Sequence, residues 1–222
     1  MEFIMYEKIE EFIKDNFKLI LEKEWLNCLM VGNCLEGEKT GTKDWLLAKV
    51  MNNSTTELIL LYRKPWKLIL YSPMNNTSDE LYKFTAEQVY KQDRKLLGVN
   101  AETEMAHKFA RFYCEIAKQQ YKLENSLKIL VLEKMLPKQN RNNVTFRMAT
   151  EQDKTVLTQY IRGFYKDALD EEISDEEVNQ KVESYLERGY YVLEKEGKIV
   201  SQAVIGRTLV KGKSISGVYT PK

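Results

Sequence analysis

Histidine, cysteine and proline are scarce in this chain, and each scarcity narrows what it does. One histidine occurs, His107. It lies near the start of a long helical pattern with no Cys or Asp in sequence reach, so it reads as a surface or packing residue rather than a base or ligand. Cys28, Cys34 and Cys114 are odd in number and lack C-x-x-C spacing, which argues against a disulfide framework or zinc knuckle and for reduced, buried thiols. No metal site is expected. No charge of one sign prevails: 34 Lys and Arg face 33 Asp and Glu, a formal net charge of +1. Nucleic acid and acidic membrane surfaces are therefore not implied as partners. No apolar run approaches the ~18 residues of a membrane span. The opening residues carry Glu2 and Glu7 where a signal peptide carries Lys or Arg. A soluble cytoplasmic protein is expected, and the N-x-S/T triplets at Asn52, Asn53, Asn75, Asn76 and Asn143 mark polar turns rather than glycosylation.

What is present is apolar and aromatic. Hydrophobic residues make up 43% of 222, with 13 Tyr, 8 Phe and 3 Trp, enough to bury a core throughout and too much for disorder. Trp25, Trp45 and Trp66 read as packing anchors. At about 100 to 150 residues per domain, the length suits two small domains.

Periodicity supplies the order of elements. Phe3 to Leu21 places Ile4, Ile9, Phe12, Ile13, Phe17 and Ile20 near helical spacing, which predicts one amphipathic helix. A second, from about Glu24 to Cys34, precedes Gly37. Trp45 to Val50, Leu58 to Arg63 and Leu68 to Tyr71 are short apolar runs separated by Asn-Asn-Ser and Lys-Pro-Trp, the pattern of consecutive antiparallel strands. A helix capped by Thr77 or Ser78, with Thr77 and Glu80 at capping-box spacing, should run to Asp93. Val99 and Asn100 suggest a very short strand, Glu102 to Tyr121 a helix, and Leu127 to Met135 a strand. The Pro-Lys-Gln-Asn-Arg-Asn-Asn run at 137–143 reads as a linker, its Lys and Arg as solvation, so the domains are 1–136 and 144–222.

After the linker the order begins again. A strand, Val144 to Met148, leads to Thr150 and Asp153, a capping pair, and a helix to about Ala168. Ser174 and Glu177 cap a second helix that stops at Gly189. Tyr190 to Glu194, Ile199 to Ile205 and Ser214 to Thr220 are three strands joined at Glu196-Gly197 and Lys211-Gly212. The fold class is α/β of the α+β kind: mostly antiparallel sheets flanked by helices, each helix with one apolar stripe.

Strand, helix, helix and three antiparallel strands ending in Gly217-Val218-Tyr219-Thr220-Pro221 resembles the opening of a GNAT-superfamily N-acetyltransferase. Phe146-Arg147-Met148-Ala149-Thr150-Glu151-Gln152-Asp153 is similar to that family's R-x-A-T-x-x-D entry, and Ile199-Val200-Ser201-Gln202-Ala203 sits where its third strand enters the site. The first half, with Leu97-Gly98-Val99-Asn100-Ala101 opening its long helix, resembles the degenerate N-terminal domain of two-domain, tandem-GNAT-like members. Between Tyr71 and Ser78 it has no Gly-x-Gly, so it is not expected to hold CoA in the family manner. The chain ends at Lys222, before the loop that in the family binds the CoA pyrophosphate through amides at a helix N-terminus. The second domain is therefore expected to be the front half of a GNAT domain.

The resemblance implies attack of an amine on the thioester carbonyl of acetyl-CoA. Backbone groups of Val218, Tyr219 and Thr220 would pair with the pantetheine arm, and an amide near Val218 or Tyr219 would be the oxyanion donor. A Glu or an ordered water is the usual base, and the Tyr that protonates the thiolate normally comes from the absent back half. On the last strand Ser214, Ser216, Val218 and Thr220 alternate with Ile215, Gly217 and Tyr219, and neither set contains a carboxylate. Glu194 and Glu172, with Glu171 beside it, are the candidate bases. Tyr219 itself reads first as a packing aromatic. The implied partners are acetyl-CoA and a small-molecule or peptide amine, with a homodimer through the exposed sheet edge. The alternative is a non-catalytic GNAT-like module that binds a partner through that edge.

Overall fold

Short strands whose alternate residues are buried build two separate sheets, each carried by its own unit. The structure, a computed structural model, describes residues 1–92, 95–136 and 143–222. Met1–Val131 and Leu132–Lys222 form the two units. Of the expected linker, only Asn143 lies within the described residues, and Asp93, the expected end of a helix, lies outside them.

In the first unit, β1 (Glu2–Tyr6), β2 (Leu46–Asn52), β3 (Thr55–Tyr62), β4 (Leu68–Tyr71) and β5 (Val99–Asn100) form one sheet in sequence order. The first four are antiparallel, and β5 joins β4 in parallel through Leu68–Val99 and Ile69–Asn100. Residues 57–62 of β3 are all buried, which is the mark of a strand covered on both faces. On one face Leu58, Leu60 and Tyr62 pack with Leu81, Val89, Met105 and Phe109 of α3 (Asp79–Lys91) and α4 (Thr103–Ala117). Ile59 and Leu61, of opposite parity, are buried with Ile9, Phe12 and Ile20 of α1 (Ile9–Glu22) and Met30, Val31 and Cys34 of α2 (Cys28–Thr40).

Five expectations for this unit change. The helix expected over Phe3 to Leu21 starts at Ile9, because the edge of β2 offers the first residues backbone partners: Phe3 faces Val50 and Met5 faces Ala48. The second helix passes Gly32 and Gly37 and stops at Gly41, whose φ is 78°. Gly37 is needed there for close packing, since a Cβ would lie 2.8 Å from Thr42 Cγ2. The α3 cap is Ser78 without a side-chain bond, while Asn76 Oδ1 accepts from the Ser78 amide, so the Thr77/Glu80 box does not form. The helix expected to reach Tyr121 ends at Lys118, in the left-handed region. Leu127 to Met135 is not a strand: it lies exposed, Leu130 at 92%, with no sheet neighbour among the described residues. Local β-propensity without a partner edge makes no ladder.

In the second unit, β6 (Val144–Met148), β7 (Tyr190–Lys195), β8 (Lys198–Thr208) and β9 (Lys213–Tyr219) form an antiparallel sheet in that order. One face is covered by α5 (Lys154–Phe164) and α6 (Asp175–Arg188): Leu157, Ile161, Val178 and Val182 meet Tyr190, Val192 and Val204. The two expected capping boxes are present, Thr150 with Asp153 before a short 3₁₀ turn and Ser174 with Glu177 at α6. The opposite face carries exposed Phe146 and Met148, with Phe146 stacked on Tyr191 at 5.2 Å. The helix expected to reach Ala168 is regular only to Phe164. Tyr165–Leu169 is a π-helical turn, a widening that recurs at functional sites.

Candidate functional site at the bulged edge strand

β9 is the last strand of its sheet, so its outer edge has no strand partner among the described residues. Its inner edge is irregular. Ser216 pairs with Val204 and Tyr219 with Gln202, so three steps along β9 match two along β8. One extra residue is therefore accommodated at Gly217–Val218, and Gly217 has φ 57°, the left-handed value of a glycine bulge. A second slip at Gly206 in β8 restores the register. Gly206 faces Ser216, whose hydroxyl would stand 2.7 Å from an added Cβ.

The bulge overturns the simple alternation expected for this strand. Ser216 and Tyr219, which strict alternation puts on opposite faces, lie opposite Val204 and Gln202, two residues of one face of β8. Tyr219 consequently turns under α5. Its ring meets Tyr160 edge to face at 5.9 Å, and its hydroxyl donates to Asp167 Oδ2 at 3.0 Å. Gly163 leaves the room: a Cβ there would lie 2.4 Å from the Tyr219 hydroxyl. Desolvation, then the bond to the Asp167 carboxylate, raises the Tyr219 phenol above its ordinary range, so it stays a donor. Tyr160, also raised by desolvation, donates to the Ile199 carbonyl at 2.5 Å.

The end of β9 is fastened by side chains of β8. The Ser201 hydroxyl donates to the Tyr219 carbonyl at 3.0 Å and accepts from the Thr220 hydroxyl at 2.9 Å. Gln202 Nε2 donates to the Gly217 carbonyl at 3.1 Å, and its Oε1 accepts from the buried Tyr190 hydroxyl, itself raised by desolvation. Val218 is 59% exposed. The bulge thus leaves Gly217 and Val218 without register partners in β8, and the Gly217 carbonyl is held instead by the Gln202 side chain.

Val218, Tyr219 and Thr220 lie at the end of β9, Val218 and Thr220 exposed and Tyr219 half-buried. Glu194 lies on β7 and Glu172 in the connection before α6. Arg147 Nε donates to Glu194 Oε2 at 2.9 Å and its fork grips both oxygens of Asp153 at 2.7 and 3.0 Å, so Glu194 belongs to a charge network across β6 and β7. That network holds the Asp153 carboxyl down at about 2, chiefly through Arg147. Glu172 is exposed in the connection to α6, as is Glu171. Sequence reasoning missed Asp167, Gly163, Ser201 and the bulge. Only the last left a signal, a lone glycine inside a strand.

Among the described residues no cluster of His, Cys, Asp or Glu has the makings of a metal site. No helix among them is long and apolar enough to cross a membrane. The concave patches lined by Lys43, Asp44, Trp45 and Lys64, and by Arg111, Cys114 and Gln119, belong to the first unit and bring no convergent catalytic groups together. Compared with known proteins, the chain matches no family model and no curated protein.

Proposed function

We propose that the second unit is a GNAT-type acetyltransferase half-site, in which β9 receives acetyl-CoA and an amine attacks its thioester. The observation that carries this reading is the bulge at Gly217–Val218 on an edge strand buttressed by Ser201 and Gln202. An edge strand offers a pantetheine arm, with its two amides, the main-chain pairing of an added strand. An amide released from the ladder near Val218 serves as a fixed donor to the carbonyl oxygen as it gains charge. The first unit has a different character at the corresponding turn: a phosphate approaching α3 meets the carboxylates of Asp79 and Glu80, and Asp79 is already paired with Lys108 and Arg111.

Acetyl-CoA titrated during thermal unfolding tests this. A ligand at 100 times its Kd stabilises by about 2.7 kcal/mol, a shift of several degrees. The wild-type chain should show a saturable shift, and Val218→Pro, which removes one amide from the exposed edge, should abolish it. The second reading, a non-catalytic module docking through its edge, is favoured by exposed Ile215 and Val218 on β9 and by Phe146 and Met148 on the bare face. It predicts no shift at millimolar acetyl-CoA.

A further inference from the structure

The general base is the unfilled role in this reading, since Glu194 is engaged by Arg147. The geometry points to Asp167 as the carboxylate that receives the acceptor's ammonium group and takes its proton, an inference that rests on the acetyltransferase reading. Three observations converge on it. The π turn at Tyr165–Leu169 carries Asp167 to the Tyr219 hydroxyl, 3.0 Å away, and so to the residue next to the proposed oxyanion amide. Its only hydrogen-bonding partner among the described contacts is that neutral phenol. Two cations of the flanking helices are engaged elsewhere: Arg162 pairs with Asp175 and donates to the Ile173 carbonyl, and Lys181 lies over the Tyr165 ring at 5.3 Å, while Lys166, next to Asp167 in sequence, is exposed to solvent. The Asp167 side chain is also exposed, so an amine from solvent reaches it, and the Tyr219 ring whose hydroxyl it holds offers a π surface that attracts a cation.

The class of acceptor follows: a protonated primary amine, recognised by the Asp167 carboxylate with the Tyr219 ring at its side. Asp167 takes one proton from the ammonium nitrogen and later gives it to water. The nitrogen lone pair then forms the C–N bond at the thioester carbonyl, the C–S bond breaks, and the departing thiolate takes the second nitrogen proton, leaving amide and free thiol. Tyr219 is a positioning residue in this step: its hydroxyl orients the carboxylate, and Gly163 gives its ring the space to do so.

The test compares the full chain with Asp167→Asn and Tyr219→Phe, using acetyl-CoA and butylamine as probes. Acetyl-CoA affinity and unfolding midpoint should be unchanged in Asp167→Asn, because the side chain is exposed and lies off the cofactor edge. kcat/KM for butylamine should fall by ~10²-fold or more, the usual contribution of a positioned base. Tyr219→Phe should keep acetyl-CoA affinity and lose roughly an order of magnitude in kcat/KM, less than the base itself. Wild-type transfer by Asp167→Asn overturns the assignment and leaves the acetyltransferase reading standing. Failure of the wild-type chain to bind acetyl-CoA overturns that reading and this inference with it.

Discussion

The two units use the same order of helices and strands to different ends. In the first, β3 is buried on both faces, with α3 and α4 on one side and α1 and α2 on the other. In the second, α5 and α6 cover one face, and the other leaves Phe146 64% exposed. The antiparallel ladders of the first sheet slip once, at Val50/Met51, whereas the last strand of the second slips twice against its neighbour, leaving Gly217 and Val218 without register partners. A sheet covered on both faces has little surface left to offer, whereas a bulged edge strand beside a bare face leaves backbone and apolar side chains in solvent. The two units thus differ in burial more than in the order of their elements.

The strongest expected effect probes the closed face of the first unit. Cys34 is fully buried under α2, and desolvation, reinforced by Glu38, pushes its thiol up to about 12. Its thiolate fraction near pH 8 is on the order of 10³-fold below that of an ordinary thiol. Iodoacetamide followed by mass spectrometry should therefore modify Cys34 last, after the half-buried Cys28 and Cys114. Early alkylation of Cys34 would break the comparison, because the face would then be open.

The second effect asks whether charge in the second unit does what burial does in the first. Asp153 has its folded pKa depressed to about 2 by Arg147, with help from the Thr150 amide. A depressed carboxylate contributes stability above its unfolded pKa, about 3.9, and loses it as pH falls through the folded value. Discounted for the partly exposed Arg147, the contribution is about 1–2 kcal/mol at pH 7. Asp153→Asn should cost this at pH 7 in urea unfolding, and the gap to wild type should close between about pH 4 and 2. An equal cost at both ends would assign the loss to the capping box alone.

The smallest effect is the sharpest test of the bare face. Phe146→Lys replaces an exposed ring and should change stability by less than about 0.5 kcal/mol. A loss above about 2 kcal/mol would mean that this face is covered in solution, and the contrast between the units would fail.

Much of the fold was legible because its signals were local. Short apolar runs with turn residues between them located β2, β3, β4, β7, β8 and β9, and the Glu196-Gly197 turn, with φ of 51° and 75°, closes the β7–β8 hairpin as its residues suggest. The capping pairs located α5 and α6 for the same reason. What depended on distant partners was not legible. β1 owes its existence to the edge of β2, over 40 positions away, and Leu127 to Met135 has strand-forming residues but no ladder to join. The position of Val218 to Thr220 at the end of β9 was readable from the strand pattern, but the place of Asp167 is set by a widened helical turn and a tyrosine 52 residues on. Strict alternation misassigned β9 because one extra residue at the bulge changes which side chains share a face.

The contact between Gly163 and Tyr219 also limits how this protein can vary. With 2.4 Å between the phenol oxygen and the place a Cβ would occupy, the two positions share one volume. Substitutions at 163 are tolerated only in company with a smaller residue at 219, and a smaller residue at 219 forfeits the hold on Asp167. The pair is therefore a one-way epistatic lock: in any library of folded variants, tyrosine at 219 should occur only with glycine at 163, while glycine at 163 tolerates other residues at 219.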